Sequence, residues 1–187
     1  MPATPQFRPA RPEDAEQVAL LHTDSWRRHY RGAYADAYLD GDILSDRRTV
    51  WSARLAAPAG TVTLLAEDPP GSLLGFVHLV PDEDAVHGSL VDNLHVVHGR
   101  HRSGLGRALL TRAAAAAAER AAGPALYLWV LEPNIAAQAF YRSLGGRVAE
   151  RVAVSPPGGV PGRLAGTPYK LRLVWPDAAA LAAQRLT

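Results

Sequence analysis

The amino-acid sequence predicts an α/β fold in which a mixed, mostly antiparallel sheet carries helices on both faces. Two strand-like runs flank the turn Asp68-Pro-Pro-Gly71, which is typical of an antiparallel hairpin. An alanine-rich helical segment around 113–118 lies between two further apolar runs, as in a parallel strand–helix–strand crossover. Hairpins combined with one crossover therefore predict a sheet of mixed strand direction.

Local signals bound each predicted element. Pro12 and the acidic residues after it begin the first long helix, and Arg31-Gly32 ends it. Pro58 limits the second helix, and Gly123-Pro124 ends the alanine-rich helix. In chain order, the predicted elements are a strand at 7–9, helices at 13–30 and 45–56, strands at 61–67, 72–80 and 88–97, a helix ending near 122, a strand at 125–131, a helix at 135–144, strands at 147–154 and 168–175, and a helix at 177–186.

The segments after the alanine-rich helix differ in their apolar patterns. Residues 125–131 are apolar without interruption, which predicts a strand that is buried on both faces. Gly145-Gly146 ends the next helix, and a loop rich in proline and glycine at 155–162 precedes the last strand. Whether this loop closes over a site stays open. The last strand places alternate apolar side chains on one face, at Tyr169, Leu171, Leu173 and Trp175.

Composition limits the classes to which the protein can belong. The chain has 187 residues, of which 48% are hydrophobic and 20% are charged, so we expect one globular domain spanning 1–187. No cysteine is present, which excludes disulfides and thiolate zinc sites, and we expect no metal. The net charge of +2 gives little support for a nucleic-acid partner. No apolar run has a membrane-spanning length, and no signal pattern begins the chain, so we expect a cytoplasmic protein without a membrane partner.

A glycine-bearing loop at 98–106 is the most informative segment. It follows an apolar strand and precedes the alanine-rich helix, so backbone N–H groups are left unpaired at the positive end of the helix dipole. Such a turn binds the phosphates of a nucleotide cofactor. Gly104 and Gly106 lack a Cβ and permit close approach, and arginines add positive charge. The segment lacks the Lys-Ser/Thr of a Walker loop and the third glycine of a dinucleotide fingerprint.

Two motifs about 30 residues apart carry a resemblance to a known family. The first is His101-Arg102-Ser103-Gly104-Leu105-Gly106, and the second is Val130-Leu-Glu-Pro-Asn134-Ile-Ala-Ala137-Gln-Ala-Phe140-Tyr141-Arg-Ser-Leu-Gly145. Together they resemble the GNAT superfamily of acetyl-CoA-dependent N-acetyltransferases, over residues 7–175. His101 stands where the family has Gln or Arg, which is chemically tolerable because backbone N–H groups supply most contacts there. The resemblance implies the GNAT fold.

The resemblance also implies acetyl-CoA as the co-substrate. In the family, the strand at 88–97 splays from the strand at 125–131, and the pantetheine arm pairs with main-chain groups in the gap. The same main chain is implied to supply the oxyanion donor. Asn134 is implied to bond the pantetheine arm, and a role as helix N-cap is equally compatible. The expected cofactor contacts are Leu94, Val96, His101, Arg102, Ser103, Gly104, Leu105, Gly106, Arg107, Asn134 and Tyr141.

The expected catalytic residues are an acid and a base. The resemblance implies that Tyr141 points its hydroxyl at the CoA sulfur and protonates the leaving thiolate. Asp92 is a charged residue in an otherwise apolar strand, where burial would raise its pKa, although the usual base position of the family falls at Leu90. His95 has a suitable ordinary pKa but lies on the opposite face of an ideal strand. The base therefore stays open among Asp92, His95 and a residue elsewhere in the chain.

The first two helices are expected to wall the acceptor site. Trp26 and Tyr30, with Glu132 just past a strand end, are the expected substrate contacts, although Trp26 at such spacing is more often a core residue. Aromatic and acidic groups together suit a cationic amine, so we expect a small-molecule primary amine such as a polyamine, an amino acid or an antibiotic. The alternatives are an inactive CoA-binding regulatory module and an acetyltransferase for protein or peptide amines. An exposed edge strand would allow a homodimer.

Overall fold

The computed structural model describes residues 4–69 and 71–184, which form a sheet with helices on both faces. The strands are β1 (Gln6–Pro9), β2 (Val62–Asp68), β3 (Ser72–Asp84), β4 (Gly88–Val96), β5 (Leu126–Leu131), β6 (Arg147–Ala153) and β7 (Tyr169–Trp175). The α-helices are α1 (Ala15–His29), α2 (Asp36–Asp40), α3 (Ile43–Ala56), α4 (Leu105–Arg120), α5 (Ile135–Ser143) and α6 (Ala178–Ala182). No helix within the described ranges is long and apolar enough to cross a membrane.

The seven described strands follow the order β1-β2-β3-β4-β5-β7-β6. β4 and β5 pair in parallel, and the other neighbouring strands pair in antiparallel fashion. The chain connects β4 to β5 through α4. Two parallel strands need such a crossover, because the chain must return to the end of the sheet at which the first strand began. The predicted mixed, mostly antiparallel α/β fold is therefore confirmed.

The two faces of the sheet bury different sets of side chains. On one face, α4 packs its alanines and leucines against β2, β3 and β4, and small side chains at Ala113 and Ala117 let the helix approach closely. The side chains of Leu171, Leu173 and Trp175 are buried on this face, as their alternation along β7 predicts. On the other face, α1 and α3 enclose Trp51, Leu65 and Phe76, which are fully buried. Both faces therefore contribute a hydrophobic core.

Most element ends lie within two residues of the sequence-based prediction, and three differences are larger. The five-residue α2 was not predicted, because one and a half turns leave no periodic pattern to recognise. β3 continues to Asp84, because its pairing with β4 includes an irregular extension that ends at Asp84 and Gly88. The predicted terminal helix at 177–186 is observed as α6, and its last predicted residues lie outside the described part of the chain.

A β-bulge lies at Asp92 in the middle of β4. Leu79 of β3 pairs with Val91, whereas the preceding residue, His78, pairs with Asn93, so Asp92 has no partner in this ladder. Neighbouring residues of β3 point to opposite faces, and their partners Val91 and Asn93 therefore do the same. Residues of β4 after the bulge therefore face the side of the sheet opposite to the one that uninterrupted alternation from Val91 predicts.

The parallel pairing of β4 with β5 stops close to this bulge. The pairing runs from Ser89–Leu126 to Val91–Leu128, and the two strands then diverge. The gap that the resemblance implies between these strands is therefore present. It lies beside the start of α4, because the chain passes from the end of β4 through the loop at 97–104 into that helix.

Candidate active site

A cavity of about 570 Å³ occupies the gap between the diverging ends of β4 and β5. The loop before α4 and the first turn of that helix form one wall, and α5 forms another. Nine of the predicted cofactor contacts line it, namely Leu94, Val96, His101, Arg102, Gly104, Gly106, Arg107, Asn134 and Tyr141. The topology thus brings the two sequence motifs to one site.

The first turn of α4 presents unpaired backbone donors at this cavity. Gly104 caps the helix with a φ of +83°, a left-handed conformation that glycine adopts without strain. The first intrahelical bond runs from Ala108 N–H to Gly104 O, so the N–H groups between them have no partner within the helix. The buried Nε of Arg107 has no hydrogen-bond partner among the described residues. These donors suit an anion at the positive end of the helix dipole.

The second glycine of the loop has a packing role. A Cβ on Gly106 would lie 3.4 Å from Cζ of Phe140 in α5. Gly106 therefore lets the first turn of α4 lie directly against α5, which brings the two walls of the cavity together. Ser103 and Leu105 do not line the cavity with the other predicted contacts: the Ser103 hydroxyl donates to Arg100 O, and Leu105 is buried in the core.

The main chain of β4 offers further groups to the cavity. Val97 N–H donates to Leu74 O of the neighbouring β3 segment, and by antiparallel alternation His95 bonds to β3 as well. The N–H and C=O groups of Leu94 and Val96 consequently point away from β3, toward the gap. In accord with this direction, the ring Nε2 of His101 lies 3.3 Å from Val96 O.

α5 places two predicted residues on the opposite wall. Asn134 caps this helix, because its Oδ1 accepts from Ala137 N–H at 3.1 Å, and it also lines the cavity. Tyr141 is partly buried, and its removal from solvent raises its pKa above the ordinary value of 10.0. Its hydroxyl is therefore protonated at neutral pH and available as a donor.

The two candidate bases lie on the same side of the sheet. His95 Nδ1 hydrogen-bonds Ser25 Oγ of α1 at 2.7 Å, and Asp92 Oδ2 lies 2.7 Å from Arg54 of α3. The expectation that the two residues lie on opposite faces is wrong, because the bulge rotates the strand between them. Burial lowers the pKa of His95 to about 3, so its ring is neutral at physiological pH.

Asp92 does not have the environment expected of it. Its side chain is exposed rather than enclosed by the apolar strand, and it forms an ion pair with Arg54. The bulge accounts for both properties, because the extra residue leaves the ladder and points into a cleft. The expectation that the strand buries Asp92 is therefore wrong.

A second cavity, of about 320 Å³, adjoins the first. The rings of Trp26 and Tyr34 stack in it with centroids 5.1 Å apart, and Tyr30 lies 5.1 Å from Trp26. Tyr30 and the end of β5, residues 129–131, line both cavities and form their common wall. Asp92 lines the smaller cavity, so a molecule bound there would lie between this carboxylate and the larger cavity.

Two other predictions about this cavity have different outcomes. Glu132 does not line either of the two cavities: it is exposed and forms a two-point ion pair with Arg151, with distances of 2.7 and 2.8 Å. The long-range partner accounts for its position away from the cleft. The loop at 155–162 does approach the site, because Ser155 and Pro157 line the smaller cavity.

Several lining residues were not identified from the sequence. They are Arg47 and Arg54 of α3, Trp129 of β5 and Lys170 of β7. Lys170 could have been identified from the alternation of β7, because it precedes the core residue Leu171 and must point to the opposite face. The arginines of α3 carry no comparable signal, since long-range packing decides which part of the sheet this helix covers.

Comparisons with known proteins agree with this architecture. The family model described as Acetyltransferase (GNAT) family matches residues 21–145, more than half of the chain. A Bacillus subtilis (strain 168) protein named "Uncharacterized N-acetyltransferase YuaI" is 29% identical over 178 residues, covering 93% of this chain and 94% of that protein.

Two solved structures illustrate the likeness of fold. The PaiA N-acetyltransferase from Thermoplasma acidophilum, in complex with coenzyme A, has a TM-score of 0.70 at 17% identity, over 91% of this chain and 98% of that one. YncA from Salmonella typhimurium, with its cofactor acetyl-CoA, has a TM-score of 0.64 at 18% identity, over 99% of this chain and 98% of that one. The family model, which matches residues 21–145, identifies the chain as a member of the acetyltransferase (GNAT) family.

Proposed function

We propose that this protein transfers the acetyl group of acetyl-CoA to the primary amine of a small molecule. The observation that carries the proposal is the pair of adjoining cavities, of which the larger is lined by the first turn of α4 and the smaller by aromatic rings. Related folds that hold coenzyme A or acetyl-CoA support the choice of co-substrate. The small volume of the second cavity favours a small acceptor over a folded protein.

The residues of the larger cavity fit coenzyme A. The amides that precede Ala108 and the arginines at 102 and 107 are placed to bind its diphosphate. The main chain at Leu94 and Val96 is placed to pair with the amide groups of its pantetheine arm, with His101 giving up its contact to Val96 O. When bound, acetyl-CoA supplies an acetyl thioester whose carbonyl carbon accepts the amine and whose thiolate leaves.

Proton transfers are assigned to two side chains. Tyr141, in the cavity wall, donates its hydroxyl proton to the departing sulfur, and the nitrogen of the acceptor returns a proton to the tyrosinate when it becomes an amide. The acceptor amine is cationic in water and must lose a proton before it attacks. Asp92 lines the acceptor cavity and receives that proton directly or through one water. His95 is the weaker candidate, because a ring whose pKa lies near 3 holds a proton poorly.

Asp92→Asn is expected to lower kcat/KM at neutral pH by about 10²-fold and to remove the acidic limb of the pH–rate profile, since an amide cannot take up the proton. The measurement is kcat/KM across the pH range with one acceptor. Arg54→Met is the matched control, because it breaks the same ion pair while keeping the carboxylate, so its acidic limb should persist. An acidic limb that survives in Asp92→Asn would clear Asp92 of this role.

The activity itself is tested by thiol release from acetyl-CoA over a panel of small amines. Acceptor-dependent release, with the acetylated amine identified by mass spectrometry, is the expected result. A folded protein that binds coenzyme A but acetylates no small amine would favour the inactive module. Release that depends only on peptides would favour the peptide acetyltransferase.

A further inference from the structure

The acceptor cavity has an excess of positive charge. Its charged lining residues are Arg47, Arg54, Asp92 and Lys170. Asp92 pairs with Arg54 at 2.7 Å, and Asp46, which does not line the cavity, pairs with Arg47 at 2.8 Å. Among the ion pairs of residues 4–69 and 71–184, none includes Lys170. The ammonium group is therefore available to an anionic group of a molecule bound in the cavity.

Lys170 is held in place rather than projecting into solvent. Its side chain leaves β7 on the face opposite the buried Leu171, and its Nζ lies 4.3 Å from the ring centroid of Trp129. Trp129 lines both cavities, so the ammonium lies close to their common wall. Burial is the main cause that lowers the pKa of Lys170, and Arg172 lowers it further, whereas the carboxylates of Asp92, Glu150 and Glu83 raise it. Lys170 is also the only lysine of the whole chain.

Helices α1 and α2 contribute aspartates that pair on exposed surface and do not line the acceptor cavity. Asp24 pairs with Arg28 at 2.8 Å and Asp36 pairs with Arg31 at 2.8 Å, both on exposed surface, and neither aspartate lines the cavity. A polyamine would bring a second ammonium group into a cavity whose one lining carboxylate already has a partner. Repulsion from Lys170 would add to that cost.

We infer that the acceptor is an amine that also carries a carboxylate, and that Lys170 binds this carboxylate as a specificity-determining residue. This inference rests on the proposed function. A cavity of about 320 Å³ accommodates a compound of amino-acid size, with its amine at the wall shared with the larger cavity. The ammonium of Lys170 supplies the charge-assisted hydrogen bond that such a carboxylate needs on leaving water.

The test compares α- and ω-amino acids with their own carboxamides as acceptors, at saturating acetyl-CoA. We expect kcat/KM to favour the carboxylate by at least about tenfold for the best acceptor, a preference equivalent to about 1.4 kcal/mol. A carboxamide lowers the pKa of its α-amine, so chemistry without recognition would favour the amide instead. In Lys170→Gln, kcat/KM for the carboxylate and for its carboxamide should differ by no more than about twofold. Arg48→Gln, an exposed charge change on the outer side of α3, should retain it.

A binding readout separates this inference from the activity. Reductive ¹³C-methylation labels only Lys170 and the α-amine of the chain, and Lys170→Arg identifies the lysine resonance. We expect N-acetyl amino acids to shift that resonance in a saturable way and their carboxamides to leave it in place. Plain amines acetylated as well as the carboxylates, or an equal loss for both acceptor types in Lys170→Gln, would overturn the inference while leaving the proposed function standing. No acetylation of any amine, with no shift of the resonance, would overturn both.

Discussion

Tyr141→Phe is expected to lower kcat by about 10²-fold while changing the affinity for coenzyme A by no more than about twofold. The substitution removes one hydroxyl from a side chain that packs between α5 and the sheet, so the cavity keeps its shape. Without that hydroxyl the thiolate leaves unprotonated, which raises the barrier of the step in which the thioester bond breaks. Steady-state kinetics and calorimetric titration with coenzyme A measure the two quantities separately.

Tyr127→Phe is the matched control for this prediction. Tyr127 belongs to the neighbouring strand β5, bonds Glu83 through its hydroxyl and lines neither of the two cavities. Removal of the Tyr127 hydroxyl should leave kcat unchanged, whatever its effect on the stability of the protein. Comparable turnover in Tyr141→Phe and the parent protein would exclude Tyr141 as the acid.

The second large effect concerns stability in mild acid. His22, His78 and His95 are buried on the helix α1 and α3 side of the sheet, and burial lowers the pKa of each below 6.5. The unfolded chain then binds more protons than the folded one as the pH falls below 6.5, so stability is lost on acidification. With a folded pKa of about 3, His95 alone should cost about 2 kcal/mol between pH 7 and pH 5.

Urea unfolding at pH 7, 6 and 5 measures this loss. Carboxylates contribute little in this window, since their ordinary pKa values lie below it. His78→Gln should flatten the pH dependence without abolishing it, because two buried histidines remain. An unfolding free energy that stays constant from pH 7 to pH 5 would contradict the account of these histidines as neutral buried groups.

The fold was predictable because its signals are local. Apolar runs of strand length, a Pro-Pro-Gly turn and an alanine-rich helix are properties of short segments. Gly104 and Asn134 are the N-cap residues of α4 and α5, and they mark the starts of those helices. The two motifs then placed the ends of β4 and β5 beside α4 and α5. These elements form the larger cavity, and for that reason nine of the eleven predicted cofactor contacts line it.

The acceptor side was less predictable because its residues depend on distant partners. The bulge at Asp92 reverses the facing of later residues in β4, and no pattern in the strand itself announces it. Arg54 lies 38 positions before Asp92, and Arg151 lies 19 positions after Glu132, so neither ion pair follows from local sequence. Because both carboxylates have arginine partners and Glu132 does not line the acceptor cavity, that cavity is less negative than the sequence predicts.

In the proposed function, main-chain amides at the start of α4 bind the diphosphate of coenzyme A. The most direct test of this binding is calorimetric titration of the folded protein with coenzyme A, alongside Gly104→Val, in which a side chain at a φ of +83° strains the loop and covers the amides. The account predicts saturable binding to the parent protein and an affinity at least about tenfold lower in the variant, with both proteins folded by circular dichroism. No heat of binding to the folded parent protein at millimolar coenzyme A would contradict it.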